Sequence, residues 1–123
     1  MCNSNRSCHF SGVGMIQVLI LRLIHEQPDY GYSLIAKIQQ ITHGKYEPES
    51  GSIYTILRRL EHRGYLQSKW ESEKSNPDKR IYSLTEAGMV VLNQSIEMMQ
   101  VRRPIIDNLI TYYENNLAKN LEK

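Results

Sequence analysis

Residues 51–66 run GSIYTILRRLEHRGYL. On a helical wheel Ile53, Ile56, Leu57 and Leu60 gather on one side. Gly51, Thr55, Arg58 and His62 centre on the opposite side, with Ser52, Tyr54 and Arg59 on the flanks. The spacing predicts an amphipathic helix from Gly51 to about Arg63, with Ser50 as N-cap and Gly64 as the stop. Its polar face is built from hydroxyls and guanidinium groups. Such a face suits an anionic partner, because Ser and Thr bond base edges or phosphates and Arg bonds guanine with two parallel hydrogen bonds. A solvated face on an ordinary surface helix has the same composition.

Downstream the period changes from helical to alternating. Leu66, Ser68 and Trp70 point one way, and Gln67, Lys69 and Glu71 the other. Arg80, Tyr82 and Leu84 share a face. The intervening ESEKSNPDK is polar and carries an Asn-Pro-Asp turn. The pattern predicts a two-stranded antiparallel hairpin with a charged tip. Lys74, Lys79 and Arg80 bring cations to it, which is what a wing on phosphates requires. Thr85 caps the next helix, with Glu86 in its first turn, where the helix dipole favours an anion.

Upstream, residues 14–26 (GMIQVLILRLIHE) are apolar on nearly every side, so this helix is expected to be buried all round. Pro28 and Gly31 mark a stop and a turn. A second helix is expected from Tyr32 to Thr42 on the stripe Leu34, Ile35, Ile38 and Ile41, ended by Gly44. Residues 45–49 connect it to the third. Residues 1–13 lack periodicity and are expected to form a loose arm.

Residues 86–121 are helical in pattern. Leu92, Ile96, Met99, Ile106, Ile110, Tyr113 and Leu117 follow three- and four-residue steps, interrupted at Arg103. Ile105, Leu109 and Tyr112 add a second stripe. Pro104 is expected to kink the helix or divide it. Two apolar stripes exceed what so small a core can cover, which calls for a partner, most simply the same helix of a second copy.

Length and composition bound the rest. The chain has 123 residues, 41% of them hydrophobic, which suits one domain with a modest core. The net charge is +2. The positive excess falls in residues 58–80, where Arg58, Arg59, Arg63, Lys69, Lys74, Lys79 and Arg80 outnumber Glu61, Glu71, Glu73 and Asp78. The longest apolar run, Met15–Ile24, is broken by Gln17 and Arg22 and falls short of the ~18 residues that span a bilayer. No signal peptide is expected. The two cysteines, Cys2 and Cys8, lie in the first ten residues and cannot staple the fold, which suits a reducing cytoplasmic setting. With His9 they match no structural zinc pattern, so no metal is expected. No grouping of nucleophile, base and orienting residue suggests an enzyme, and no glycine-rich phosphate loop suggests a nucleotide cofactor.

Three helices, a hairpin and a long helix make a mainly α (α+β) winged helix-turn-helix, whose third helix enters a DNA major groove. Three stretches sharpen this. Gly31-Tyr32, residues 51–66 and residues 80–88 (RIYSLTEAG), in this order and spacing, resemble the PadR family of transcriptional regulators over roughly residues 15–90. The resemblance implies a homodimeric DNA-binding repressor. It places Ser52, Tyr54, Thr55 and Arg58 at recognition contacts, with Arg59 and His62 beside them. It puts the Tyr32 hydroxyl near a phosphate and Lys74, Lys79 and Arg80 on the wing. It builds the dimer from Leu92, Ile96, Met99, Ile106, Ile110, Tyr113 and Leu117, clasped by Leu19 and Leu23 of the first helix. Domains are then expected at 1–13 (arm), 14–85 (DNA binding) and 86–123 (dimerisation). The arm is longer than is usual in the family, and the single short C-terminal segment looks like the compact subgroup. Some members of that subgroup sense aromatic small molecules between subunits, but no cluster here argues for a particular effector. The rival is a protein-interaction module on the same scaffold, which would expose apolar residues on the third helix.

Overall fold

Four helices and a three-stranded sheet are present in the computed structural model, which describes residues 14–45, 50–71 and 79–118. Helix α1 spans Met15–Glu26, strand β1 Asp29–Tyr30, helix α2 Gly31–Ile41 and helix α3 Ser50–His62. Strands β2 (Leu66–Trp70) and β3 (Arg80–Leu84) form the wing, and helix α4 covers Glu86–Tyr112, continued by a π-helical turn at Tyr113–Leu117. This is the winged helix-turn-helix, with the long C-terminal helix, that the sequence implies.

The core forms where apolar faces of α1, α2 and α3 meet. Ile20, Leu21, Ile24, Leu34, Ile38, Ile53, Leu57 and Leu60 are buried there, joined by Leu66, Tyr82, Val91 and Leu92. Each fully buried Leu or Ile contributes about 1.5–3 kcal/mol. Ile41, expected on the α2 stripe, is exposed. It occupies the last helical turn, beyond the reach of the core.

Helix α1 is not buried all round. Met15, Arg22, His25 and Glu26 are exposed, and Arg22 pairs with Glu26 at i+4 over 3.4 Å on the outer flank. The polar residues among the apolar ones therefore mark a solvent-facing edge.

The hairpin pairs in the expected phase, Leu66 with Leu84, Ser68 with Tyr82 and Trp70 with Arg80. It gains a third strand. Residues 29–30, between the expected stop at Pro28 and turn at Gly31, form β1 and pair antiparallel with β3, Asp29 with Tyr82 and Tyr30 with Ile81, giving the order β1-β3-β2. Gly31 does not mark the turn but opens α2.

Helix ends follow local chemistry. After α3, Gly64 at φ 87° lets its own N–H reach the Glu61 carbonyl and the Tyr65 N–H reach the Leu60 carbonyl. After α2 the same pair of bonds is made one residue earlier than expected. His43 (φ 56°) bonds the Gln40 carbonyl, and Gly44 bonds that of Gln39. The left-handed C-terminal position thus belongs to His43, with Gly44 following in the same region. Thr85 caps α4 by accepting from the Gly88 N–H at 3.0 Å.

Helix α4 begins as part of the core and ends outside it. Gly88, Val91, Leu92 and Ser95 are buried. Every residue from Gln100 to Leu117 is exposed. Packing therefore ends near Met99. Pro104 does not divide the helix, which is unbroken through it. The Gln100 carbonyl, deprived of the proline N–H, faces solvent on this exposed stretch and can bond water instead.

Candidate nucleic-acid interface

Helix α3 turns its apolar side to the core and leaves Ser52, Arg58, Arg59 and His62 exposed, with Tyr54 and Thr55 half-buried beside them. Thr55, Arg58, Arg59, His62 and Arg63 line a shallow cleft of about 240 Å³ along this face. No large hydrophobic side chain of α3 is exposed among the described residues. The Ser50 side chain lies outside the described residues, as do Lys74 and the whole tip of the wing at 72–78.

Three contacts set the position of α3. At its start, the Tyr54 ring packs against Gly31 of α2, so close that a Cβ at Gly31 would collide with it. The glycine is there for close approach of two helices, and Tyr54 is shared between that packing and the outer face. At its end, Thr85 Oγ1 donates to the Gly64 carbonyl at 2.6 Å, and the Thr85 N–H bonds the Tyr65 carbonyl. The cap of α4 is thereby also the anchor of the C-terminus of α3. In its last turn, Glu61 Oε2 accepts from Ser68 Oγ of β2 at 2.8 Å.

Tyr32 is exposed and stacks in parallel on Tyr30, with ring centroids 5.3 Å apart. The Tyr30 hydroxyl in turn donates to Glu71, at the base of the wing. That hydrogen bond, with desolvation and the carboxylate charge, pushes the Tyr30 pKa up to about 12. The bond favours the protonated phenol, because the phenolate would face an anion. Burial likewise raises the pKa of Tyr82 on β3, against the opposing pull of Arg80.

Asp29 was not singled out by the sequence and organises the entry to α2. It is buried, accepts the Tyr30 N–H and Ser33 Oγ, and holds Lys37 Nζ at 2.6 Å. Its spacing to Ser33 and Lys37, four and eight residues, was the available signal. Glu61 was also missed as a contact, although an acid standing among Arg58, Arg59, His62 and Arg63 was visible.

On the wing, Lys79 is exposed. Arg80 is turned inward, its guanidinium 4.2 Å from the Trp70 ring centroid and 4.0 Å from Glu61. Of the expected dimer residues, Leu23 and Leu92 are buried in the chain's own core, and Leu19 and Met99 pack against it. Ile96, Ile106, Ile110, Tyr113 and Leu117 are exposed. Among the described residues no group of three His, Cys, Asp or Glu is gathered to hold a metal ion, and no helix is long and apolar enough to cross a membrane. Cys2, Cys8 and His9 lie outside the described residues.

Known proteins share this architecture. TA0346 of Thermoplasma acidophilum is 32% identical and superposes with a TM-score of 0.69 over 80% of this chain and 92% of its own. A PadR family transcription regulator from Clostridium difficile R20291, at 23% identity, shares the fold with a TM-score of 0.65 over 79% of this chain and 99% of its own. The transcriptional regulator YqjI of Escherichia coli K12 is 30% identical over 78% of this chain, which spans only 44% of the YqjI length. The model of the transcriptional regulator PadR-like family matches residues 20–94, more than half of the chain, and the chain belongs to that family.

Proposed function

We propose that the chain is a homodimeric repressor that binds a pseudo-palindromic operator, each copy laying α3 in the major groove of one half-site. The observation that carries this is the outer surface of α3. It offers hydroxyls, guanidinium groups and an imidazole and no large exposed apolar side chain, which suits DNA better than an apolar protein surface. In this reading Ser52, Tyr54, Thr55 and Arg58 approach base edges. Arg59, His62, Tyr32 and the wing, through Lys79 and Lys74, meet phosphates, which supply affinity without selecting sequence.

The dimer is supported by the end of α4. Val101, Ile105, Ile106, Leu109, Ile110, Tyr112, Tyr113 and Leu117 are all exposed on a stretch that touches no core of its own. A second copy offers the same face through a two-fold axis, as isologous interfaces require. That axis would set two α3 helices on successive major grooves.

Fluorescence anisotropy with the DNA upstream of the chain's own gene, against random duplex at two salt concentrations, tests the proposal. Tighter binding to the upstream DNA that persists at the higher salt is expected. Equal, weak binding to both duplexes, abolished by salt, would leave only non-specific electrostatics and contradict it.

A further inference from the structure

The last turn of α3 and the two wing strands share one polar cluster. Glu61 accepts from Ser68 of β2 through one carboxylate oxygen, at 2.8 Å, and faces Arg80 of β3 through the other, at 4.0 Å. Arg80 stands directly across the pair from Trp70 and covers its ring at 4.2 Å. Tyr82, two residues on, lines the same cleft. Arg80 therefore has an aromatic face and a carboxylate beside it, and about two thirds of its side chain is covered. Lys79 beside it is exposed. Between Arg80 and the outer face of α3 lies a cleft of about 210 Å³ lined by Tyr54, Arg58, Trp70, Arg80 and Tyr82.

A planar guanidinium can stack and bond in its own plane at once, which an ammonium cannot. Arg80 stacks on Trp70 of the wing while its edge stands 4.0 Å from the Glu61 carboxylate of α3, an ion pair rather than a direct hydrogen bond. Glu61 is thus the acid through which the wing's Arg80 meets α3. We propose that Arg80 is a positioning residue rather than a phosphate contact: with Glu61 and Trp70 it fixes the angle at which the wing leaves the recognition helix, so that both meet one stretch of duplex in register. The role in register rests on the proposed DNA reading. The clamp itself does not.

Trp70 is the single tryptophan of the chain, so the clamp has its own optical reporter in the free protein. Acrylamide quenching and emission of Trp70 should change in both Arg80→Gln and Glu61→Gln. The amide oxygen introduced at 61 still accepts from Ser68, so the second variant removes only the charge that holds Arg80. Arg80→Lys should not restore the parent spectrum. With DNA, each of Arg80→Gln and Glu61→Gln should lower the preference for operator over random duplex about tenfold. The double variant should be no worse than either, and the slope of log affinity against log salt should not change.

Unaltered Trp70 quenching in Glu61→Gln would overturn the clamp. A salt slope reduced by about one in Arg80→Gln, equal weakening on both duplexes and rescue by Arg80→Lys would make Arg80 a phosphate contact instead. If the parent protein prefers no duplex, the DNA reading fails and the register role with it, while the Trp70 measurements still decide whether the clamp exists.

Discussion

A Cβ placed on Gly31 would stand 2.8 Å from Cζ of Tyr54 and nearer still to its Cε1, so the Tyr54 ring of α3 packs on α2 where only a glycine leaves room. Gly31→Ala should therefore push the Tyr54 ring and tilt the recognition helix, costing about 1–3 kcal/mol of stability, as overpacked sites do. In a Tyr54→Ala background the same change should be neutral or slightly stabilising, since alanine is the better helix former. Urea denaturation of the four proteins in the cycle checks this. Equal losses in both backgrounds would show that the ring is not the obstacle.

Thr85 joins two helices through one hydroxyl, accepting from Gly88 and donating to Gly64. Thr85→Ala should cost about 1–2 kcal/mol, the upper part of the range for a lost N-cap, while Thr85→Ser keeps both bonds. Gly88 marks the same junction, because a Cβ there would strike the Tyr65 backbone carbonyl. Thermal unfolding of the two Thr85 variants separates the bonds from the methyl group.

The Tyr30–Glu71 hydrogen bond predicts an alkaline signature. With a folded pKa of about 12 against the ordinary value of 10.0, the folded state holds the phenolic proton more tightly than the unfolded state. The associated stability is fully present below pH 10 and is lost as pH rises towards 12. Ultraviolet titration should show late-ionising tyrosines, Tyr82 (raised by its burial) as well as Tyr30, and Glu71→Gln should bring one of them back towards the others. A late fraction of undiminished size in Glu71→Gln would assign the shift elsewhere.

Much of this was legible in the sequence, for physical reasons particular to each element. Ile53, Leu57 and Leu60 repeat at helical spacing and occupy the core. The alternation of Leu66, Ser68 and Trp70 matches its partners on β3 because a one-residue slip would invert every side chain. Strand β1 was not legible, since two residues carry no period. The left-handed turn at His43 was hidden by the neighbouring Gly44, which looks like the better terminator. Leu23 and Leu92 read as interface residues because an apolar position does not declare whose surface it covers. The partners of Glu61, 7 and 19 residues away, follow from tertiary packing that no local spacing encodes.

The exposed end of α4 makes the proposed dimer separable from the fold. Ile106 is exposed in the single chain, so Ile106→Asp should leave helix content and the winged-helix core intact. In a dimer it would bury a charge without a partner and should yield monomers. Sedimentation velocity distinguishes the outcomes, and an unchanged dimer would place the interface elsewhere.

The most direct measurement is a hydroxyl-radical footprint, with methylation interference at guanine N7, on the DNA upstream of the gene. The account predicts two protected half-sites of related sequence, with centres about one helical turn (~34–36 Å) apart and interference within each major groove. A single protected patch, or protection no different from that of random duplex, would contradict a dimer that reads DNA through α3.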